Sequence, residues 1–349
     1  MQKKDIKSMT LAELEQELVL LQEPHFRAKQ IFEWMHAKRA RGFSEMTNIS
    51  KALRERLAEQ YEYTDLPAVE ELTSAIDGTK KFLFRLHDGN VVESVWMRYQ
   101  HGNSVCISSQ AGCRMGCMFC ASTLGGLVRN LTASEMLDQV YQIGRLTGER
   151  VSNVVVMGVG EPLDNYDALL RFLFLVSDEK GLNISQRNIT VSTCGLVDQM
   201  KRLAGEHLQI TLALSLHAPD QEKRLRLMPV AKRYDIHEVV EACRDYFDCT
   251  GRRITFEYAL IDGVNDSPED ARTLAKLVGS LNCHVNLIPV NPVKERGWKR
   301  PAHEKTAVFK ELLEKSGIAV TVRREMGKDI NGACGQLRNL RQHSAAQTE

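Results

Sequence analysis

The sequence lacks long apolar segments. No run approaches the roughly 18 consecutive apolar residues that a membrane-spanning helix needs, and the longest runs are short, such as 172–176. The N-terminal stretch MQKKDIKSMTLAELEQ has no apolar core of the kind found in a secretory signal. These two absences predict a soluble protein that stays in the cytoplasm.

An excess of one charge sign is also missing. Lys and Arg together number 46 and Asp and Glu 45, which leaves a net charge of +1. This balance excludes a globally basic nucleic-acid coat protein but allows a local basic patch. The 349 residues are 43% hydrophobic, enough for a large α/β barrel with appended elements. In a reducing cytoplasm, the nine cysteines favour metal binding or chemistry over disulfides.

From about residue 104 the pattern of strand, loop and helix repeats. Apolar, β-branched strands are predicted at 105–108, 153–157, 189–192, 210–216, 254–260, 284–288 and 320–323. Helices are predicted at about 133–148, 167–178, 196–204, 236–248, 268–280 and 304–316. Six β/α units in series indicate an α/β fold with a parallel sheet, which we expect to form a partial (β/α)6 barrel.

The rest of the chain divides around this core. We expect a helical N-terminal domain over 1–70, a β-hairpin extension over 71–103, the barrel core over 104–337 and a polar tail over 338–349. The hairpin is indicated by large apolar residues that alternate with polar or smaller ones over 82–86, and by the Asp88–Gly89 turn. The N-terminal domain carries basic residues among aromatic ones, which either contact RNA or form an ordinary solvated helix face: Arg27, Lys29, Lys38, Arg39 and Arg41.

The strongest signal is a cysteine triplet. Cys113, Cys117 and Cys120 follow the first core strand in one short loop. Three thiolates can hold three corners of a cubane iron–sulfur cluster and leave the fourth iron open to a substrate or cofactor. The alternative is a structural zinc site, which needs a fourth ligand from elsewhere because no second Cys-x-x-Cys pair is present.

At these residues the chain resembles the radical S-adenosylmethionine superfamily, whose members carry this Cys-x3-Cys-x2-Cys loop after the first barrel strand. The resemblance implies a [4Fe–4S] cluster that binds S-adenosylmethionine and cleaves it to a 5′-deoxyadenosyl radical. Further motifs are similar, in the same order, to those of the RlmN and Cfr family of RNA methyltransferases: FRAKQIFEW, GEPLDN, ITVSTCG, LALSLHAP, HVNLIPVNP and DINGACGQL. Pro162 favours the RlmN branch, because Cfr-type enzymes tend to have alanine there.

The family resemblance assigns cofactor contacts to strand ends of the predicted barrel. By this resemblance the residues that contact S-adenosylmethionine are Gly160, Glu161, Ser192, Ser215, Leu216, His217 and Asn291. Taken singly, a strand-end glycine usually just turns the chain, and Ser192, Ser215 and His217 are each ordinary polar residues at a strand end. Their repeated occurrence after successive parallel strands is harder to explain by packing, because such strands bring their carboxyl ends to one rim.

The resemblance implies that the methyl group goes to carbon 2 of adenine. This carbon is electron-poor and cannot attack the methyl group of a sulfonium, whereas a protein thiolate can accept that methyl group. The resemblance implies that Cys334 carries the methyl group, that Cys106 resolves the RNA adduct through a transient disulfide, and that Glu93 removes the carbon 2 proton. Without the family, both cysteines could be small buried hydrophobes and Glu93 an outward-facing carboxylate.

The family also implies the partners. The substrates would be an adenosine in the peptidyl-transferase region of 23S rRNA and one in the anticodon loop of tRNA, with two S-adenosylmethionine molecules used per turnover. A flavodoxin or ferredoxin would supply the electron, and we expect a monomer. A second candidate RNA-contacting group is Lys294, Arg296, Trp298, Lys299 and Arg300. Two alternatives remain open: a Cfr-type enzyme acting at carbon 8 and a zinc-stapled RNA-binding protein without catalysis.

Overall fold

The computed structural model describes residues 3–100 and 102–338. Its N-terminal part is mainly helical and consists of β1 (Lys4–Asp5), α1 (Leu11–Leu20), α2 (Phe26–His36), α3 (Lys51–Gln60) and β2 (Tyr61–Glu62). Thr10 and Glu13 form a reciprocal capping box that fixes the start of α1. A fully buried ion pair between Lys7 and Asp138, 2.8 Å long, attaches this part to the core. Apart from Arg338, the predicted polar tail lies outside the described residues.

Three antiparallel strands come next: β3 (Ala68–Thr73), β4 (Lys80–Arg85) and β5 (Val91–Tyr99). The predicted hairpin is formed by β4 and β5, which place Leu83 opposite Glu93. Strand β3 was not predicted, because most of its residues are exposed and its sequence AVEELT does not alternate. Strand β5 also pairs with β6 (Gly102–Ile107), so the hairpin continues the sheet of the core.

The core contains the six predicted β/α units and a last strand. Its remaining elements are β7 (Gln110–Gly112), β8 (Leu127–Asn130), α4 (Ala133–Thr147), β9 (Asn153–Val156), α5 (Tyr166–Ser177), β10 (Ile189–Thr193), α6 (Val197–Gly205), β11 (Thr211–Ser215), α7 (Gln221–Leu227), α8 (Ile236–Thr250), β12 (Ile254–Leu260), α9 (Pro268–Val278), β13 (Cys283–Pro289), α10 (His303–Lys315) and β14 (Ala319–Val322). A second capping box, formed by Thr132 and Glu135, starts α4.

One ten-stranded sheet runs through the molecule in the order β14-β13-β12-β11-β10-β9-β6-β5-β4-β3. Strands β6 and β9 to β14 pair in parallel, and β3 to β6 pair antiparallel. Since β14 and β3 are the two edges, the parallel part is an open, partial barrel, and the predicted fold class is confirmed. The carboxyl ends of its parallel strands meet at one rim, where such folds build their sites.

Packing of the sheet explains why its strands are so apolar. Val154, Val156, Ile189 and Val191 are completely buried, because helices cover the outer face and the barrel interior covers the other. Within the part of the chain that the structure describes, no helix combines the length and the apolar character required to cross a membrane.

Candidate active site

The three cysteines of the triplet line one cavity at the carboxyl rim of the parallel strands. They lie in the loop that joins β7 to β8, and backbone hydrogen bonds hold this loop in shape. The Cys113 N–H donates to the Gly126 carbonyl (2.9 Å), and the Cys120 N–H donates to the Cys117 carbonyl (3.2 Å). The Thr123 hydroxyl donates to the carbonyls of Cys117 and Cys120.

The donor set of this loop fits a cubane iron–sulfur cluster. The three thiols line one cavity, so each thiolate can bind a different iron and leave the fourth iron open to a cofactor. A structural zinc ion would need a fourth ligand in addition. Burial raises the pKa of Cys113 to about 12, so the bound irons would have to stabilise its thiolate.

The loop after β9 reaches the same cavity through two close backbone contacts. A Cβ atom on Gly158 would lie 2.7 Å from the Ile107 carbonyl oxygen. At Gly160 the backbone has φ +111°, and a Cβ there would lie 2.6 Å from the Gln110 side chain. Only glycine fits both positions, so the sequence Gly-Val-Gly brings the backbone against the end of β6 and the start of β7, just before the cluster loop.

Glu161 fixes this part of the rim with a buried carboxylate. One of its oxygens accepts from the Leu163 N–H (3.1 Å) and the other from the Cys194 N–H (2.8 Å). Its own N–H donates to the Gln110 side chain (2.8 Å). A carboxylate has about four acceptor positions, so Glu161 can still accept from a cofactor ammonium group. Burial raises the pKa of this carboxyl.

His217 lines the cavity as a neutral hydrogen-bond donor. Its Nδ1 accepts from the Ala259 N–H (2.9 Å), which leaves the proton on Nε2. Burial lowers the pKa of His217 to about 3, so the ring stays uncharged at neutral pH. The ring packs edge-on against Phe119 of the cluster loop, with centroids 4.8 Å apart. His217 has φ +55°, and the Asn265 amide holds its backbone carbonyl (2.8 Å).

Three more predicted residues line the cavity. The hydroxyl oxygens of Ser192 and Ser215, on neighbouring strands, are 3.2 Å apart. The Asn291 amide donates to the Cys334 carbonyl (3.0 Å) and accepts from the Arg300 guanidinium (2.8 Å). These hydrogen bonds connect the cofactor rim to the loop that carries Cys334.

Three predicted residues do not line this cavity: Leu216, Glu93 and Cys106, the last of which lines a second cavity described below. Leu216 is completely buried in the core, and its contribution at the rim is a backbone N–H that donates to the Glu257 carbonyl (3.0 Å). Glu93 lies on β5 and faces a groove on the other side of the Cys334 loop, where Lys81 pairs with its carboxylate (3.1 Å).

A second cavity, of about 430 Å³, adjoins the first. Cys106 and Cys334 both line it, together with the apolar side chains of Val95, Met97 and Met157. Cys334 also lines the cluster cavity, so it stands on the wall between the two. Both cysteines are free thiols, as are all nine cysteines of the chain, so no disulfide is present. Burial, reinforced by charge on Cys334, raises the pKa of Cys106 to about 12.

Sequence reasoning missed two charged residues of the site, Arg323 and Glu257. Arg323 follows β14 and lines both cavities. Its position beside Cys334, and then beside Glu257 and Cys106, raises the pKa of its guanidinium. Glu257 is buried at the cluster cavity and accepts from the Asn286 amide (2.9 Å). A charged residue in or just after an apolar strand was the available signal for both.

The second basic group makes mainly internal contacts. The Arg296 guanidinium donates to the Thr123 hydroxyl (2.7 Å), and the Trp298 indole donates to the Met118 carbonyl (2.7 Å). Arg300 pairs with Glu325 (2.8 Å). These three side chains brace the cluster loop and Asn291, a role that their charge and aromatic character did not predict.

In the N-terminal basic group, three cations have intramolecular partners. The Arg27 guanidinium donates to the Gln30 side chain (2.8 Å) and to the Asn48 carbonyl (3.1 Å). Lys38 lies over the Trp34 ring, 4.1 Å from its centroid, and Arg41 pairs with Asp65 (3.2 Å). The exposed fractions of the Lys38 and Arg41 side chains, 43% and 62%, leave both accessible at the surface.

Comparisons with known proteins agree with this architecture. Residues 107–275 match the family model of the radical SAM superfamily, and residues 4–62 match that of the ribosomal RNA large subunit methyltransferase N-terminal domain. The crystal structure of a radical SAM methyltransferase from Sphaerobacter thermophilus is 46% identical, with a TM-score of 0.92 over 96% of this chain and 99% of that one. The fold and the cysteine loop thus define a radical S-adenosylmethionine methyltransferase.

Two relatives narrow the class. A probable dual-specificity RNA methyltransferase RlmN from Lachnospira eligens is 62% identical over 335 residues, 96% of each chain. Another from Lachnoclostridium phytofermentans is 60% identical over 337 residues, 97% of this chain and 95% of the relative. The chain belongs to the RlmN family of RNA methyltransferases. Its cofactors are a [4Fe–4S] cluster and S-adenosylmethionine, as the sequence predicted, and a zinc-stapled protein without catalysis is not supported.

Proposed function

We propose that the protein methylates carbon 2 of an adenosine in the peptidyl-transferase region of 23S rRNA and of one in the tRNA anticodon loop. Cys334 carries the methyl group in this proposal. The supporting observation is that Cys334 stands on the wall between the cluster cavity and the cavity that contains Cys106. One thiol can therefore meet the cofactor on one side and the RNA base on the other.

We assign the cluster to Cys113, Cys117 and Cys120, and S-adenosylmethionine to the rim formed by Gly160, Glu161, Ser192, Ser215, His217 and Asn291, with Leu216 contributing backbone only. When bound, these two groups supply a methyl group for Cys334 and a carbon radical that removes a hydrogen atom from S-methyl-Cys334. Two S-adenosylmethionine molecules are therefore used per turnover. The cysteine methylene radical then bonds to carbon 2 of adenine.

Release of the product requires a second thiol. The Cys106 thiolate attacks the Cys334 sulfur, so an S–S bond forms while the bond between that sulfur and the methylene carbon breaks. The carbon 2 proton leaves to Glu93, and the methylene carbon takes a proton from solvent. The one electron that leaves the adduct would return to the cluster, which is oxidised once it has cleaved S-adenosylmethionine. An external thiol then reduces the disulfide. The apolar wall of the second cavity favours a flat, unstacked base over a solvated one.

The electron for the first step comes from a donor protein of the flavodoxin or ferredoxin kind. Met115 lines both the cluster cavity and a surface groove, so a single residue separates the cavity from the surface at this point. Arg114, Arg202 and Arg233 line the groove, and each pairs with an aspartate that lines it too: Asp164, Asp167 and Asp198. We propose that the donor docks there, against a monomer in the cytoplasm.

Anaerobic turnover with an rRNA fragment and a tRNA in separate reactions tests this function. Nucleoside mass spectrometry should find 2-methyladenosine with both substrates. The appearance of 8-methyladenosine would instead indicate Cfr-type chemistry, and methylation of only one RNA would remove the dual specificity.

A further inference from the structure

The segment that carries Cys334 is held on two sides. This carrier segment, residues 327–338, contacts the cluster loop through the Ala121 N–H, which donates to the Gly335 carbonyl (2.8 Å), and the Ser122 hydroxyl, which donates to the Leu337 carbonyl (2.7 Å). On its other side it contacts the antiparallel strands, where the Ser74 hydroxyl donates to the Asp329 carboxylate (2.6 Å).

Lys81 and Glu93 lie at the centre of this second contact. Lys81 on β4 is opposite Val95 and Glu93 on β5 is opposite Leu83, so the two residues are diagonal neighbours on one face of the sheet. Their side chains are nearly inaccessible, at 8% and 2% exposed, and Lys81 Nζ lies 3.1 Å from a Glu93 oxygen.

The remaining side-chain contacts of this pair go to residues of the same segment on either side of Cys334. Lys81 Nζ lies 3.5 Å from the Asn331 carbonyl, before Cys334. The second Glu93 oxygen accepts from the Arg338 N–H (2.6 Å), after Cys334. One ion pair thus holds the carrier segment at two points, Asn331 and Arg338, with Cys334 between them.

Stability alone does not account for such a pair. Burying two charged groups costs desolvation free energy that can exceed their mutual attraction. Proteins in which apolar side chains of similar size replace a buried ion pair are often equally stable. In this pair, the Lys81 ammonium and the second Glu93 oxygen both bind one short segment. The pair therefore holds that segment in position.

We propose that Lys81 is a positioning residue: its ammonium group, through Glu93 and the Asn331 carbonyl, keeps Cys334 on the wall between the two cavities. This inference rests on the proposed function of Cys334. While the segment is closed, Glu93 lines the groove on one side of it and Cys106 lines the cavity on the other, and one Glu93 oxygen is bound to the Arg338 N–H. The carboxylate therefore reaches an adenine in that cavity only when the carrier segment moves.

The variant K81M tests the clamp, and K80M is the matched control. Lys80 is the preceding residue and pairs with Glu71 on the more exposed face. In the cluster-loaded protein, K81M should raise amide hydrogen exchange at least tenfold in peptides covering 331–338, and leave peptides from the middle of β4 and β5 unchanged. It should also slow the methylation of Cys334 at least tenfold. K81R should restore part of both, and K80M should match the wild type.

A double variant separates positioning from folding. K81M/E93M replaces the ion pair with apolar side chains, so the strands should regain protection while peptides 331–338 still exchange fast. Wild-type exchange of the segment in K81M, exchange raised equally throughout β4 and β5, or recovery of segment protection in the double variant would each overturn the clamp. Failure of the proposed function looks different: the wild type itself would acquire no methyl group on Cys334, whatever residue 81 is.

Discussion

The side-chain amide of Asn291 donates a 3.0 Å hydrogen bond to the backbone carbonyl of Cys334. Asn291 follows β13 at the cofactor rim, whereas Cys334 belongs to the last described loop of the chain. The bond therefore links the residues proposed to hold S-adenosylmethionine to the residue proposed to receive its methyl group. Positioning to within fractions of an ångström controls the rate of such transfers.

Asn291→Ala should weaken this link without removing the cluster. Loss of a buried hydrogen bond costs about 1–3 kcal/mol, and a similar loss of orientation in the transfer would slow Cys334 methylation roughly tenfold or more. Methyl incorporation from labelled S-adenosylmethionine measures the rate. Asn188→Ala, which removes a surface bond to the Ser152 carbonyl, is the control. An unchanged rate in the Asn291 variant would show that the link is not used.

Cys117→Ala should abolish cluster binding. The side chain lines the cluster cavity, and two remaining thiols cannot hold the cubane. We expect the anaerobically reconstituted variant to lack the brown colour and stoichiometric iron, and to form no 5′-deoxyadenosine with S-adenosylmethionine and a reductant. Cys249→Ala removes an exposed cysteine and should keep full iron. A colourless wild type that holds zinc would contradict the cluster assignment.

Cys106→Ala should trap the enzyme on its substrate. Cys106 and Cys334 line the same cavity, so the alanine variant lacks the thiolate that attacks the Cys334 sulfur. We expect an adduct of protein and RNA that survives denaturing gels and disappears on nuclease digestion. Cys194→Ala changes another buried cysteine at the rim and keeps Cys106, so no adduct should accumulate in this control. Normal product release by the Cys106 variant would remove its resolving role.

His36 should make the fold sensitive to mild acid. Burial, reinforced by the nearby charge of Lys7, lowers the pKa of His36 to about 3, whereas an unfolded histidine titrates near 6.5. Between these values only the unfolded state takes up the proton, so the contribution is complete above pH 6.5 and is lost as pH falls toward 3.

The variant His36→Gln tests the predicted direction of this pH dependence of stability. It should be less stable than the wild type at pH 7.5, because His36 bonds to the Tyr141 hydroxyl (2.8 Å). Its free energy of unfolding should nevertheless fall less steeply between pH 7 and 5. Urea unfolding at a series of pH values measures both quantities, and parallel curves would mean that His36 does not titrate on unfolding.

The core was readable from the sequence because its strands are buried on both faces and its helices are amphipathic. Residues 254–260 were predicted as a strand and match β12, and the helix predicted at 133–148 differs from α4 by one residue. Periodicity carries this information directly. The exposed strand β3 and the short helix α7 were missed because neither shows a regular apolar pattern.

The candidate site was readable only where the chemistry is written in local spacing or in family motifs. The cysteine triplet and the rim residues fall after predicted strands, so their convergence followed from the fold. Lys81 gave no such signal. Its contact with Asn331 in the carrier segment joins residues 250 positions apart in the sequence. Pairings of that kind depend on how the antiparallel strands meet the last loop, which no local pattern records.

Deuterium tracing tests the central claim, that the methyl group passes through Cys334. The wild type is incubated anaerobically with reductant, an rRNA fragment and S-adenosylmethionine bearing a trideuterated methyl group. Relay through S-methyl-Cys334 removes one deuterium atom, and a solvent proton later takes its place, so the product should be 2-methyladenosine with two deuterium atoms in its methyl group. The Cys334→Ser variant should keep its iron and give no product. A product that retains all three deuterium atoms, or one formed by the Cys334→Ser variant, would contradict the account.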